Sequence, residues 1–252
     1  MSGRVVFIGA GPGAADLITV RGARLLGQAT VVLYDALIDP ALRDFAPGAH
    51  WLHVGKRGYA DSTGQDAINA LLIKHANEGE RVVRLKGGDP SIFGRLEEEL
   101  EALAAAGIDS EVVPGVTAAI AAAAATRRPL TRRGNGRSVS FTTAMTRTGA
   151  LHASRTADTE VFYMAGKQLC ALSRRLIEAG WTSDTPVCVV SRAGWPDQLC
   201  SDHNVATLPR ASLLHAGRPT IVTVGAGACA LTHLKPQAGA VTCAAGMESL
   251  KP

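Results

Sequence analysis

Aromatic side chains are scarce in this chain: five Phe, three Tyr and three Trp make up only 4% of its 252 residues. So few rings argue against a base-stacking platform for single-stranded nucleic acid. Cysteine is present but unpatterned. Cys170, Cys188, Cys200, Cys229 and Cys243 are scattered through the second half, with no C-x-x-C pair, and the seven histidines show no H-x-x-x-H spacing. The spacing therefore predicts no metal site, and the odd count argues against a disulfide framework. Excess charge of one sign is also missing. The 26 Lys and Arg against 22 Asp and Glu leave a net +4, which favours a polyanionic ligand without identifying one.

No apolar run is long enough to span a bilayer. The Ala-rich stretch 118–125 is short and ends at Arg127-Arg128. Met1-Ser2-Gly3-Arg4 leads directly into a strand without the longer apolar core of a signal peptide, so a soluble cytoplasmic protein is expected. What is abundant is ordinary core material. Hydrophobic residues at 46% and charged residues at 19% predict a packed chain, with room for one large domain or two modest ones.

Glycine is where the sequence becomes specific. Arg81-Val82-Val83-Arg84-Leu85 alternates like a strand and runs into Lys86-Gly87-Gly88-Asp89-Pro90-Ser91-Ile92-Phe93-Gly94. Paired glycines allow a sharp turn and a close approach to a ligand. Asp89, set by the fixed φ of Pro90, offers a carboxylate to hydroxyls or a cationic group. Near the N-terminus, the apolar strand Val5-Val6-Phe7-Ile8 leads into a second such turn, Gly9-Ala10-Gly11-Pro12-Gly13. A helix is expected from Thr19, its N-cap, with Val20, Ala23, Leu25 and Leu26 as its apolar stripe. Val31-Val32-Leu33-Tyr34 reads as the next buried strand, ending at Asp35.

This β-turn-α-β order predicts a mostly parallel, helix-covered sheet. Amphipathic helices are expected at 65–78, stopped by Gly79, and at 96–106. Strands in the second half are predicted at 138–142, 160–164, 186–191 and 220–224, with more antiparallel pairing, and a helix at 171–180. The domains expected are 1–115, 116–235 and a loose tail at 236–252.

Read alone, Gly9-x-Gly11-x-x-Ala14 with Asp35 ending the next strand matches a dinucleotide fingerprint, which would make the chain an NAD-dependent oxidoreductase. Against this, Pro12 stands where a helix N-terminus would present N–H groups to a pyrophosphate, and proline has none.

The turns also occur in a longer ordered series. Gly9-Ala10-Gly11-Pro12-Gly13, Val32-Leu33-Tyr34-Asp35, Val54-Gly55-Lys56-Arg57, Arg84-Leu85-Lys86-Gly87-Gly88-Asp89-Pro90 and Val112-Val113-Pro114-Gly115-Val116-Thr117-Ala118 follow one another. Pro129-Leu130-Thr131, Val161-Phe162-Tyr163-Met164 and Asp184-Thr185-Pro186-Val187 continue it. The series resembles the tetrapyrrole methylase family over about residues 4–225. Within that family it is most similar to the branch that C-methylates uroporphyrinogen III, including the corresponding module of sirohaem synthase.

The resemblance implies two α/β domains of the class III methyltransferase type, usually in a homodimer, with S-adenosyl-L-methionine bound in the inter-domain cleft and S-adenosyl-L-homocysteine as product. It implies methyl transfer to two pyrrole β-carbons, giving precorrin-2 by way of precorrin-1, for sirohaem or cobalamin. It places a proton acceptor at Asp35 and a proton donor at Lys56. It places cofactor contacts at Pro12, Gly87, Gly88, Asp89, Ile92, Thr117, Ala118, Met164, Ala193 and Thr220, and no metal. Each has a plainer reading: Asp35 as a loop cap, Lys56 as a solvated cation, Met164 as core packing. Arg127, Arg128, Arg132, Arg133 and Arg137 suit carboxylate recognition and equally a solvated loop.

Departures from the family pattern include Ala14, Ser91, Leu96-Glu97, Arg132, Gly134 and Ala144-Met145, and they fall on the expected substrate side. Ser191-Arg192-Ala193-Gly194-Trp195-Pro196-Asp197 resembles the precorrin-4 branch, so a methyltransferase of a later corrin precursor is the alternative within the family.

Overall fold

The computed structural model describes residues 3–55, 64–144 and 151–231. The chain divides between Ala118 and Ala119 into two compact units. The expected tail at 236–252 and Lys56 lie outside the described residues.

In the first unit the elements are β1 (Val5–Gly9), α1 (Val20–Leu26), β2 (Val31–Tyr34), β3 (His50–His53), α2 (Gln65–Asn77), β4 (Val82–Lys86), α3 (Leu96–Ala105) and β5 (Ser110–Val113). The strands form one sheet in the order β3-β2-β4-β1-β5. All four pairings are parallel. Each face carries an apolar core. Val5, Phe7, Leu33, Leu72 and Leu103 lie in one, and Ile8, Leu26, Val32, Leu42 and Leu85 in the other.

The order of strands decides where the glycine turns go. β4, β1 and β5 are adjacent and parallel, so the turns that follow them emerge side by side at the carboxyl edge. The chain also reverses its direction of winding here, and in open α/β sheets that crevice is where ligands bind.

Two local expectations change. Thr19 does cap α1, its Oγ1 accepting from the Gly22 N–H at 3.0 Å. Val20, however, is 90% exposed, because the first helical position faces solvent before the stripe turns inward at Gly22 and Leu26. β4 does not alternate, since all five of its residues are buried. As a central strand it is covered on both faces, so Arg84 and Lys86 are buried as well.

The second unit holds α4, which begins at the boundary (Ala118–Thr126), then β6 (Val139–Thr143), β7 (Thr159–Tyr163), α5 (Leu169–Glu178), β8 (Pro186–Ser191), β9 (Leu199–Asn204), α6 (Ser212–His215) and β10 (Thr220–Gly225). Its sheet runs β6-β7-β10-β8-β9. The β6–β7 pair is parallel, and the other three pairs are antiparallel. Leu169, Leu172 and Leu176 of α5 pack on Phe162, Val187, Val189 and Val222. No helix among the described residues is long and apolar enough to cross a membrane.

Buried under this sheet is a chain of hydrogen bonds centred on His215. His215 Nδ1 pairs with Ser191 Oγ at 2.9 Å and its Nε2 with Ser201 Oγ at 2.9 Å. Arg218 Nε donates to the same Ser191 Oγ at 3.0 Å. Burial, then the neighbouring His203 and Arg218, push the His215 imidazolium down from 6.5 to about 4. The folded state therefore resists a proton that the unfolded state takes up below pH 6.5. Stability contributed by neutral His215 is full above 6.5 and is lost as pH falls towards 4. Between pH 7 and 5 the loss is expected to be about 2 kcal/mol. Urea unfolding of wild type and His215→Gln at both pH values checks this. An equal pH dependence in the variant would exclude His215 as its source.

Candidate active site

The turn at Gly9–Gly13 and the turn at Gly87–Gly88 interlock through backbone hydrogen bonds, and the Gly115 turn packs against both. The Gly88 N–H donates to Gly11 O at 2.7 Å, the Gly11 N–H to Gly88 O at 3.3 Å, and the Ala10 N–H to Lys86 O at 2.8 Å. A Cβ on Gly115 would lie 2.3 Å from Gly88 O, and one on Gly9 would lie 2.6 Å from Gly115 Cα, so neither position accepts a side chain. Asp89 ties the same turns together. Its Oδ1 accepts from the Ser91 N–H at 2.8 Å and its Oδ2 from the Gly115 N–H at 2.8 Å. The carboxylate expected to meet a ligand is thus also the staple of the loop, with acceptor capacity left on both oxygens.

This geometry argues against the dinucleotide reading. The Gly11 amide is already spent on Gly88, and a short 3-10 turn at Ala15–Leu17 and extended residues up to Thr19 intervene before α1 begins. The α-helix that follows that glycine turn begins only at Val20.

Gly87 and Gly88 instead present a face without side chains. A Cβ at Gly87 would meet nothing nearer than Leu37 O at 3.6 Å, and one at Gly88 nothing nearer than Thr117 Cα at 3.7 Å. Leu37 and Phe93, which flank the turn in sequence or space, are exposed apolar residues. Ile92 closes the turn with its N–H on Asp89 O at 3.2 Å. Thr117 is buried and Ala118 opens α4. An open glycine surface of this kind, edged by apolar groups and one carboxylate, fits an amino-acid and nucleoside ligand.

In the second unit, Met164 is 45% exposed at the end of β7 and holds φ at 57°. A left-handed conformation in a non-glycine residue costs about 1–3 kcal/mol and is concentrated at functional sites. Exposure also removes the plain core-packing reading of Met164. Ala193 is buried and is not among the positive-φ residues, which are its neighbours Arg192 and Gly194, so its methyl group is accommodated. Thr220 is buried, and its Oγ1 donates to Arg218 O at 2.7 Å.

Asp35 follows β2 and is partly exposed, and Arg84 Nη2 donates to its Oδ1 at 2.6 Å. Behind it lies a buried charge network that the sequence pattern hid. Arg84 Nε donates to Glu99 Oε1 at 3.1 Å, and Lys86 Nζ to Glu99 Oε2 at 2.6 Å. Gln65 Nε2 adds a bond to Glu99 Oε1 at 3.2 Å. Burial first, then the Arg84 charge, hold the Lys86 ammonium below its usual range, against the opposing pull of Glu99. Arg84 and Lys86 are two apart on β4 and so share a face, while Glu99 sits in the first turn of α3, where the helix dipole favours an anion. The alternation of Arg84, Lys86 and the acid-rich start of α3 was the available signal.

Two of the basic-loop arginines have structural partners. Arg128 forks onto Asp202, with Nη2 to Oδ2 at 2.7 Å, and Arg132 Nη2 donates to Cys229 O. Asp202 lies on β9 and Cys229 follows the end of β10, so both arginines are held within the second unit.

Comparisons with known proteins agree with the motif series. The family model described as Tetrapyrrole (Corrin/Porphyrin) Methylases matches residues 4–209. The uroporphyrinogen-III C-methyltransferase of Pseudomonas aeruginosa is 42% identical over 234 residues, covering 89% of this chain and 94% of that protein. The sirohaem synthase of Azotobacter vinelandii is 43% identical over 230 residues, covering 88% of this chain, which spans only 50% of that longer protein. A uroporphyrin-III C-methyltransferase of Thermus thermophilus, solved with S-adenyl homocysteine, superposes with a TM-score of 0.78 at 33% identity, over 88% of this chain and 97% of that one. With its parallel sheet, its interlocked glycine turns and a family match running from the first strand into the second unit, the chain belongs to the tetrapyrrole (corrin/porphyrin) methylases.

Proposed function

We propose that this protein is a uroporphyrinogen-III C-methyltransferase that uses S-adenosyl-L-methionine and forms precorrin-2 by way of precorrin-1. The observation that carries the reading is the 42% identity to such an enzyme over 94% of that enzyme's length. The cofactor, when bound, supplies an electrophilic methyl group on a sulfonium. The rest of the work falls to the chain's own residues.

Gly87, Gly88 and Asp89 hold the cofactor's polar end, with Pro12, Ile92, Thr117 and Ala118 beside them. Met164, Ala193 and Thr220 are the contacts assigned to the second unit. Asp35 takes the proton released as the ring carbon is alkylated, and Arg84 keeps that carboxylate in one orientation. Lys56 is assigned as proton donor. The protein acts in the cytoplasm as a homodimer, for which a sedimentation mass of a single chain would be the counter-result.

Titration calorimetry with S-adenosyl-L-homocysteine, with NAD in parallel, tests the cofactor assignment. Binding of the homocysteine alone is expected, and binding of NAD alone would overturn it. Asp89→Ala is expected to weaken homocysteine binding by about 1–3 kcal/mol, since the substitution releases both the ligand contact and the Gly115 amide. Unchanged affinity would remove Asp89 from the site.

A further inference from the structure

The second unit brings together three groups that sequence spacing kept apart. Cys188 lies on β8 and Cys200 on β9, and the antiparallel register sets Cys188 opposite Asp202, two residues from Cys200. Val187 and Val189 point into the core under α5, so the alternation of the strand turns Cys188 to the opposite face. There its Sγ is 3.8 Å from the Cys200 Sγ. A carboxylate oxygen of Asp202 completes a set whose three donor atoms all lie within 4.8 Å of one another.

We propose that Cys188, Cys200 and Asp202 form a binding site for a thiophilic divalent cation of the Zn²⁺ class. Two thiolates at about 2.3 Å from a tetrahedral ion stand about 3.8 Å apart, which is the separation the two sulfurs already have. Exposure increases from buried Cys188 through Cys200 to exposed Asp202, so the ion enters from the carboxylate side and a water completes its coordination.

Arg128 organises the third ligand. Its guanidinium forks onto Asp202, with Nη1 to Oδ1 at 2.5 Å and Nη2 to Oδ2 at 2.7 Å, and Nη1 also donates to Ala228 O at 2.9 Å. The fork occupies two of about four acceptor positions on the carboxylate and leaves the others for a metal. On binding, each thiol releases its proton to solvent, and no electrons are transferred. Cys170 and Cys229, the other cysteines among the described residues, are not part of this cluster.

The test is titration of the reduced, metal-free full chain with CoCl₂, following thiolate-to-cobalt charge transfer in the near ultraviolet, with ZnCl₂ as competitor. One Co²⁺ per chain is expected, displaced by Zn²⁺, with the band reduced to about half or less in Cys200→Ala. Asp202→Ala should keep the band but weaken binding by about tenfold or more. No band in the reduced wild type would overturn the site, as would a band unchanged in both Cys188→Ala and Cys200→Ala. If buried Cys188→Ala does not fold, Cys200→Ala decides alone. A Cys188–Cys200 disulfide that forms in air, in a chain that binds no Co²⁺ once reduced, would mark the pair as redox-active and overturn the proposal too.

Discussion

Glu99→Ala is expected to remove about 3–5 kcal/mol of folding stability. Glu99 is 1% exposed and bonds both Arg84 and Lys86, themselves almost fully buried. Its loss leaves two cations facing each other beneath α3, with Arg84 keeping Asp35 and the Leu33 and Leu85 carbonyls while Lys86 loses the carboxylate it bonds. Neither can regain water without opening the sheet. The neighbouring Glu98 is an internal control. It pairs with Arg95 at the surface three residues away, and its replacement by alanine should change stability by no more than about 1 kcal/mol. Urea midpoints of the two variants make the comparison, and equal losses would mean that the buried network contributes nothing special.

Asp35→Asn carries the second large effect, on rate rather than on folding. The carboxylate is at the exposed end of the network, so water can replace it as a partner of Arg84, and Arg84 keeps Glu99. Stability should fall by about 1 kcal/mol. Turnover should fall by about 10²–10⁴-fold, the usual worth of a positioned general base. Affinity for S-adenosyl-L-homocysteine should stay the same, because the contacts proposed for that ligand are at Gly87, Gly88 and Asp89. A wild-type rate in the variant would remove Asp35 from the mechanism.

The two results separate functions that one network combines. Arg84 is the hinge between them, since one guanidinium bonds both Glu99 and Asp35, the proposed proton acceptor.

Much of this was legible in the sequence, for reasons that differ from residue to residue. The glycine turns were, because Gly9 and Gly115 are required by close backbone approach and Gly88 holds φ at 69°, in the left-handed region that favours glycine. The α2 helix was, because Ile68, Leu72 and Ala76 repeat at helical spacing before Gly79 stops it. β9 was not, since Ser201, Asp202, His203 and Asn204 make an edge strand that alternates without an apolar face of its own. The charge network escaped for a related reason. Arg84 and Lys86 suggest a solvent-facing stripe when read along the strand, and only the position of β4 between β1 and β2 buries them. The thiol pair is likewise a product of strand pairing, with eleven residues between its members in sequence and a two-residue register offset between them across the β8–β9 pair.

The central claim is the transfer of methyl groups to uroporphyrinogen III. The most direct measurement is anaerobic incubation of the protein with uroporphyrinogen III and S-adenosyl-L-methionine, followed by mass analysis of the tetrapyrrole. The account predicts a product two methyl groups heavier, with a singly methylated species appearing first and one S-adenosyl-L-homocysteine released per methyl. An unmodified tetrapyrrole, from a protein that binds S-adenosyl-L-homocysteine and methylates a later corrin precursor instead, would contradict it.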